Sequence, residues 1–519
     1  MNRRDLLRGI GLTGTALAMT GAAAYADTLF EQAEEPVPFT VDIGDKKQVF
    51  LDDMLIVESH AVSKFQARPR KYAGNPILKA DRPWEFGVKP GEGDAAFHGQ
   101  AAIYDEEDRL FKLWYYGGQA ADETRAWCYA TSRDGYHWEK PNLGLVEFQG
   151  SRDNNILGFY KDYAPHNVIK TPYDPDPARR YKALGEVEPL DKPITFHGAG
   201  VSFSPDGIRW TDCPHNPVVP KGPDFSDGSM ILGWDVRIKK YVAYYRPGRP
   251  QYPQWPGADA IRTVGYSESD DFIHWTPTRP MLVPDEKDRV DSQYHHINVA
   301  QDGEFYIGLM PLMQTHEMTW DVYLLSSRNG FHWTWVDRNR PFLGRGEVGS
   351  YDAGYLSASA PIVHDNLVWI YYGAYSGSHS YVSSNPASGL EPLGRATVAL
   401  ATLPVDRYVG LLAGPRPGFA TTRALTFRGS RLMIDFDASL PINKVPPDHP
   451  AGAQVRVAVV DTQADEIHGF GIAQCEPMST SGVHEVSWGG ADLSQLQGQR
   501  IRLRFEWRHA ALYSFQFKE

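Results

Sequence analysis

The chain has 519 residues, with 52 basic against 64 acidic side chains for a formal net charge of −12. The length points to more than one domain, and the acidic balance disfavours a nucleic acid or an anionic membrane as partner, since both call for surplus Lys and Arg. Three well-separated cysteines, Cys128, Cys213 and Cys475, supply neither a disulfide scaffold nor a cysteine-ligated zinc cluster, and no cofactor or metal is expected.

In chain order, the first 26 residues read as an export address. Arg3-Arg4 ahead of Asp5-Leu6-Leu7 resembles a twin-arginine signal, a short apolar run follows, and Ala24-Tyr25-Ala26 fits a small-x-small cleavage site. The expected location is periplasmic or secreted, with no membrane partner after export. No later stretch reaches the ~18 consecutive apolar residues of a membrane helix.

The middle of the chain repeats. Ser132-Arg-Asp-Gly-Tyr-His-Trp138, Ser204-Pro-Asp-Gly-Ile-Arg-Trp210, Ser269-Asp-Asp-Phe-Ile-His-Trp275 and Ser327-Arg-Asn-Gly-Phe-His-Trp333 share one pattern, at spacings of 72, 65 and 58 residues. Asp and Gly suit a tight turn, and the closing Trp begins a strand that packs between sheets. Each box follows an aromatic and β-branched run: 111–116, 181–185, 241–245 and 305–309. A fifth run, Val368 to Tyr372, has no box of its own. A turn and anchor recurring at this interval, with strands between, is what a β-propeller requires. Five blades are expected over residues 40–408. Beyond them, the alternating segments 432–436, 454–460 and 501–507 predict an antiparallel β-sandwich over 420–519. The fold class is therefore all-β.

In a propeller the innermost strand of each blade opens at the mouth of a central funnel. The segments ahead of the aromatic runs carry Asp94 (with Glu92 and His98), His166, Asp227, Asp291, and Glu347 with Asp352. Glu186 and Glu188 end the second strand of blade two, and Arg246 occupies the matching place in blade three. Converging carboxylates in unlike surroundings divide into acid and base, the machinery of glycosidic bond hydrolysis. Asp94, Glu186, Glu188, Asp227, Asp291 and Asp352 are thus the catalytic candidates. His166, Arg246, Trp255, His295, His296 and Glu347 are the candidates for holding a carbohydrate. His295 and His296, adjacent on a regular strand, are expected to point to opposite faces, so they are read as partners of substrate hydroxyls rather than metal ligands. No Gly-x-Ser-x-Gly elbow, phosphate-cradling glycine loop or His-Glu-x-x-His motif is present.

The segments Gly74-Asn-Pro-Ile77, Phe111-Lys-Leu-Trp-Tyr-Tyr116, Tyr129 to Trp138 and Gly233 to Tyr245 resemble the five-bladed β-propeller glycosidase superfamily, which includes the invertase/fructosidase and arabinanase/arabinofuranosidase families. The likeness spans about residues 48–408, and the C-terminal sandwich is similar to the invertase-type arrangement. It implies an Asp of the first blade as base or nucleophile, a role that Asp94 matches, and a Glu as proton donor, from Glu186 or Glu188. The chain lacks the family's Asn-Asp-Pro-Asn-Gly, Arg-Asp-Pro and Glu-Cys-Pro motifs. The expected activity is that of an exported glycoside hydrolase. A non-catalytic carbohydrate-binding or sialidase-like propeller and a phosphorylase are the alternatives.

Overall fold

The computed structural model describes residues 39–86, 101–119, 125–160, 163–187, 197–222, 224–225, 227–247, 261–379, 389–390, 394–439 and 452–519. The expected export signal, residues 1–26, lies outside them. Strands dominate throughout, and helical structure among the described residues consists of short 3-10 turns such as Pro83–Glu85. The protein is all-β, a β-propeller joined to a β-sandwich.

The propeller is built of antiparallel meanders that follow one another along the chain. The first comprises Ala102–Asp105, Leu110–Gln119, Arg125–Ser132 and Ile156–Tyr160. The second comprises Tyr163–Lys170, Tyr181–Val187, Gly198–Ser204 and Thr211–Asp212, and the third Asp227–Asp235, Lys240–Arg246, Val264–Ser269 and Arg279–Leu282. In the fourth, Ser292–Tyr294 and Asn298–Asp302 together form the first strand, ahead of Phe305–Gln314, Thr319–Ser327 and Thr334–Trp335. The fifth takes Tyr355–Ala358, Ile362–His364, Leu367–Tyr375 and Ala396–Pro404, and borrows its outer strand, Arg70–Lys71, from ahead of the first meander. Every predicted aromatic run lies in a second strand. Those strands are buried on both sides, as Phe111, Leu113, Trp114 and Tyr115 of the first meander show.

The repeated boxes are the turns between third and fourth strands, and they share one geometry. The serine Oγ accepts the backbone N–H three residues on, at 2.9 Å from each of Gly135, Gly207, Phe272 and Gly330. The Asp (Asn329 in the fourth box) accepts the next two backbone N–H groups, as Asp134 does from Tyr136 and His137 at 2.9 Å each. The third residue of each turn has φ of +77°, +78°, +69° or +73°. Glycine meets that demand freely, whereas Phe272 bears a steric cost there that its fully buried ring offsets against Tyr241 and Trp275.

These turns also lock one meander to the one before it. The carbonyl of Gly207 accepts Trp114 Nε1–H at 2.8 Å, that of Asp271 accepts Arg179 Nη2–H at 2.9 Å, and that of Gly330 accepts the Tyr244 hydroxyl at 3.2 Å. The first box closes the circuit, since Gly135 O accepts the hydroxyl of Tyr371 from the fifth meander at 3.0 Å. The fifth meander has no box, and its seam with the fourth is made differently. Trp320 and Tyr355 form a parallel bridge there, and Asn298 Nδ2 donates to Ala358 O at 2.7 Å.

The sandwich consists of two sheets. Gly482–Glu485, Arg431–Asp437, Ala510–Lys518, Val409–Ala413 and Val62–Gln66 form one, and Ile56–His60, Gly418–Thr422, Arg502–Arg508 and Gln454–Val460 the other. Strict alternation along Arg502–Arg508 sends Leu503, Phe505 and Trp507 inward. The propeller's expected start at 40 and the sandwich's expected start at 420 shift accordingly, the latter to 409. Residues 41–66, placed with the propeller on sequence grounds, pair with strands at 409–413, 418–422, 425–427 and 510–518. The physical reason is that both are edge strands, Ile56–His60 mostly exposed and Val62–Gln66 half-buried at best, with none of the in-and-out pattern that marks a sandwich. One apolar core runs from the sandwich (Leu432, Val457, Phe505) into the fourth and fifth meanders (Ile307, Leu324, Leu356, Ile370).

Candidate active site

The first strand of each meander begins where the second ends, so the starts of first strands and the ends of second strands form one rim, the mouth of the propeller. There the first strands lose register. The second breaks between Pro165 and Asn167, placing His166 in a bulge, and the third breaks between Asp227 and Ser229. In the fourth, residues 295–297 separate the two paired segments, which face Leu312 and Leu309. A bulge twists a strand and redirects its side chains. The histidine and aspartate segments singled out in meanders two, three and four fall on or beside these irregularities.

The best-described part of the mouth is centred on His295. Its imidazole stacks on Trp320, with centroids 4.6 Å apart and planes at 27°, and Trp320 in turn packs on Tyr355 and His379. Tyr355 stacks on Tyr375 at 3.8 Å. Arg246, only 7% exposed, donates from Nη2 to the His295 carbonyl at 3.2 Å, while Arg262 donates to Gln293 Oε1 at 2.8 Å. Burial, then the electrostatic influence of Arg246, His296, Arg262 and His379, pushes the His295 pKa well below the usual imidazole range. The ring is therefore neutral at physiological pH.

The expectation that His295 and His296 point apart requires a regular strand, and the strand is broken here. Instead the two rings meet, Nδ1 to Nδ1, at 2.8 Å. His296 is 3% exposed and its Nε2 lies 3.4 Å from Ser357 Oγ on the fifth meander. Among the described residues no group of three or more His, Cys, Asp and Glu is placed to hold a metal ion.

The other candidates divide. Asp227 is the backbone partner of Arg246, so strand register alone brings that acid and that cation together; for Asp227 and His166 the described structure is the backbone. Glu186 lies at the mouth end of its strand, between Ala164 and Ala199. Asp291 sits on the rim, gripped by both Nε and Nη2 of Arg289 at 3.1 and 3.2 Å, and Arg289 also holds Glu317. Asp352, 2% exposed, pairs with Lys71 of the outermost strand at 2.5 Å and accepts Ser350 Oγ–H at 2.9 Å. Glu347 is exposed in the preceding turn. Asp291 and Asp352 are thus each bound to a cation of their own and do not join the His295 group. Asp94, Glu188 and Trp255 lie outside the described residues, as do Glu92 and His98. A cavity of about 400 Å³ opens on the rim between meanders four and five, lined by Glu317, Asp321, Arg345 and Val348 among others.

No family model and no curated protein matches the chain. Solved structures do. A glycosyl hydrolase from Bacteroides ovatus is 17% identical, with 66% of this chain and 95% of that one covered and a TM-score of 0.42. A β-1,2-mannobiose phosphorylase from Listeria innocua is 12% identical over 66% of this chain and 98% of its own, with a TM-score of 0.41. An N-acetylgalactosamine deacetylase from F. plautii, solved with blood group B trisaccharide, is 13% identical over 67% and 97%, with a TM-score of 0.43. Likenesses at this level assign no activity.

Sequence reading passed over Arg262, Gln293, Tyr355, Tyr375 and His379. Trp320, 1% exposed, packs between meanders, and one face also carries His295. Arg262 stands alone before its strand, and His379 follows the end of a second strand. Neither position carries a motif, so only the folded mouth brings them together.

Proposed function

We propose that the chain is an exported carbohydrate-active enzyme, a glycoside hydrolase working at the mouth of a five-bladed propeller, each meander counting as one blade. The observation that carries the reading is the convergence at that mouth of groups remote in sequence. Asp227 lies opposite Arg246, Arg246 is bonded to His295, and His295 is stacked on Trp320. A guanidinium beside a neutral imidazole and an aromatic face, with an acid in register on the neighbouring strand, is the means by which proteins grip and orient polyhydroxylated rings. In this reading Asp94 acts as base or nucleophile and Glu186 or Glu188 as proton donor, with Asp227 tuning the pair by its charge. His166, His295, His296, Arg246 and Trp255 hold the sugar. The roles of Asp94 and of the glutamates come from the family resemblance of the sequence.

The test is a panel of aryl glycosides and oligosaccharides assayed with the wild type, Asp94→Asn and Asp227→Asn. Turnover that falls at least 10³-fold in Asp94→Asn supports the reading, in line with loss of an essential acid–base group. Binding of a sugar by calorimetry with no product from any substrate favours the non-catalytic propeller instead. A phosphorolytic reading has one observation of its own, the two arginines that flank neutral His295. Release of a sugar phosphate only when inorganic phosphate is supplied would select it.

A further inference from the structure

The outer face of the second sandwich sheet carries a charge pattern that the mouth does not use. Along Arg502–Arg508, the residues that alternate with the inward Leu503, Phe505 and Trp507 are Arg502, Arg504, Glu506 and Arg508. Register adds Arg456, opposite Glu506 on one side, and Phe419, opposite it on the other, while Thr421 lies opposite Arg504. Four guanidinium groups thus share one half-buried surface, on a chain whose formal net charge is −12. The acid among them is engaged: Glu506 accepts Arg504 Nε–H at 3.0 Å, and the Arg504 guanidinium lies 4.3 Å from the centre of the Phe419 ring. At the exposed margin, His60 stacks on the same ring with centroids 5.9 Å apart, and Glu58 stands beyond Thr421. Among the described residues, Arg456 and Arg502 form no ion pair, and the Nε of each is buried without an acceptor. The Thr421 hydroxyl, in a residue 2% exposed, is likewise without a partner there.

A guanidinium held half-buried without a counter-charge has given up part of its hydration and gained no partner, so an anion laid against it recovers the loss. Arg456 stands in the row of Glu506 and Arg502 four residues along the neighbouring strand, so their backbones are roughly 14 Å apart. One small anion cannot serve both. We propose that this arginine strip docks an anionic polysaccharide, a polyuronate whose carboxylates are taken by Arg502 and Arg456, on the sandwich rather than at the mouth. The choice of a polysaccharide rests on the carbohydrate reading of the mouth. The choice of a carboxylate rests on the planar guanidinium fork, which matches two carboxylate oxygens at once. The acidity of the rest of the chain sharpens the site, because a polyanion is repelled elsewhere and held at the strip. Glu506 weakens the grip by occupying Arg504.

The experiment is affinity electrophoresis of the full-length protein through gels holding polygalacturonate, its fully methyl-esterified form, or no polymer. The wild type should be retarded by polygalacturonate alone, and less so as salt is raised. The double variant Arg456→Gln, Arg502→Gln should weaken the apparent Kd at least about tenfold, the scale of one charge-assisted hydrogen bond lost. Glu506→Gln releases Arg504 and should tighten binding about threefold, a gain that a merely structural Arg504–Glu506 pair does not give. That variant keeps every arginine, so it tests the strip independently should the double variant fail to fold. No retardation by polygalacturonate, equal retardation by the methyl ester, or a double variant that is folded by circular dichroism and binds like the wild type would overturn the proposal. So would single-stranded oligothymidylate that competes as well as oligogalacturonate of equal charge, since the strip would then be a nucleic-acid surface. Turnover of an aryl glycoside by the double variant should stay within about twofold of wild type. Retardation by polygalacturonate without turnover of any glycoside would refute the hydrolase reading and leave the strip standing; turnover without retardation would do the reverse.

Discussion

The two ways this ring is held together differ in kind. Four seams are each fastened by a box turn whose carbonyl accepts a donor from the preceding meander: Trp114, Arg179, Tyr244 or Tyr371. The seam between the fourth and fifth meanders has no such turn. Its apolar residues continue into the sandwich core, and Arg328 of the fourth box turns outward to grip Asp52 with both Nε and Nη2, at 2.6 and 3.1 Å. Polar docking needs only a turn and one donor, so it can be repeated from a short motif. An apolar seam needs a covering body, which accounts for a second module on this side of the propeller.

The sharpest way to break the contrast is at the apolar seam. Leu356→Ala, at a fully buried position in the shared core, should cost about 3 kcal/mol by burial loss and cavity formation. Calorimetry should show propeller and sandwich melting together at the lowered temperature. Two separate transitions, with the sandwich unmoved, would dissolve the idea of a common core. At a box seam, Trp114→Phe removes the bond to Gly207 and part of the ring, for an expected loss of about 2 kcal/mol measured by chemical denaturation. Ser204→Ala, which leaves the Gly207 N–H without its acceptor, should cost about 1 kcal/mol.

Two carboxyls sharpen the comparison through pH. Asp271, in a box turn, is opposed by its partial burial but held down to about 2 by backbone N–H groups and the ring of His274. Its folded pKa is depressed, so its stabilisation is complete above about pH 4 and fades as pH falls toward 2. Asp271→Asn should flatten the stability curve across that window, by about 1 kcal/mol after allowance for solvent screening. Asp302, near the junction of the fourth meander with the sandwich, behaves in the opposite sense. Burial, and then the like charge of Asp406, raise its pKa. The folded state then holds the proton more tightly than the unfolded one, so stability declines as pH rises from about 4 toward neutrality. Asp302→Asn should leave the protein at least as stable as wild type at pH 7 and remove that decline; a clear loss at pH 7 would mean that the charged form is the one the junction requires.

The fold was legible because its signal is local. A serine, an aspartate or asparagine and a tryptophan at fixed offsets report a turn whose hydrogen bonds all lie within four residues, and four copies give the spacing of the sheets. The sandwich strands 431–437, 454–460 and 502–508 were equally plain from alternation. Strands 56–60 and 62–66 were not, because these edge strands bury no residue fully and carry no such pattern. The candidate site was legible only as a set of positions. Asp227 and Arg246 were each placed in the third meander, but their pairing is a matter of strand register, and the turning of His295 toward His296 depends on a break in pairing that no periodicity announces. Asp352 shows the converse: its position ahead of the aromatic run is plain in the sequence, but the lysine that claims it comes from the far end of the propeller sequence.

That lysine belongs to Arg70–Lys71, the strand that completes the fifth meander against Ala396–Pro404. During vectorial synthesis this pair of residues is among the first of the folded protein to leave the ribosome, and it must stay unmatched until nearly the whole propeller has followed. The strands at 56–66 wait a little longer, for partners at 409–413 and 418–422. A nascent chain arrested anywhere before residue 396 therefore exposes a ragged sheet margin, and both seals form only once residues 396–422 have emerged.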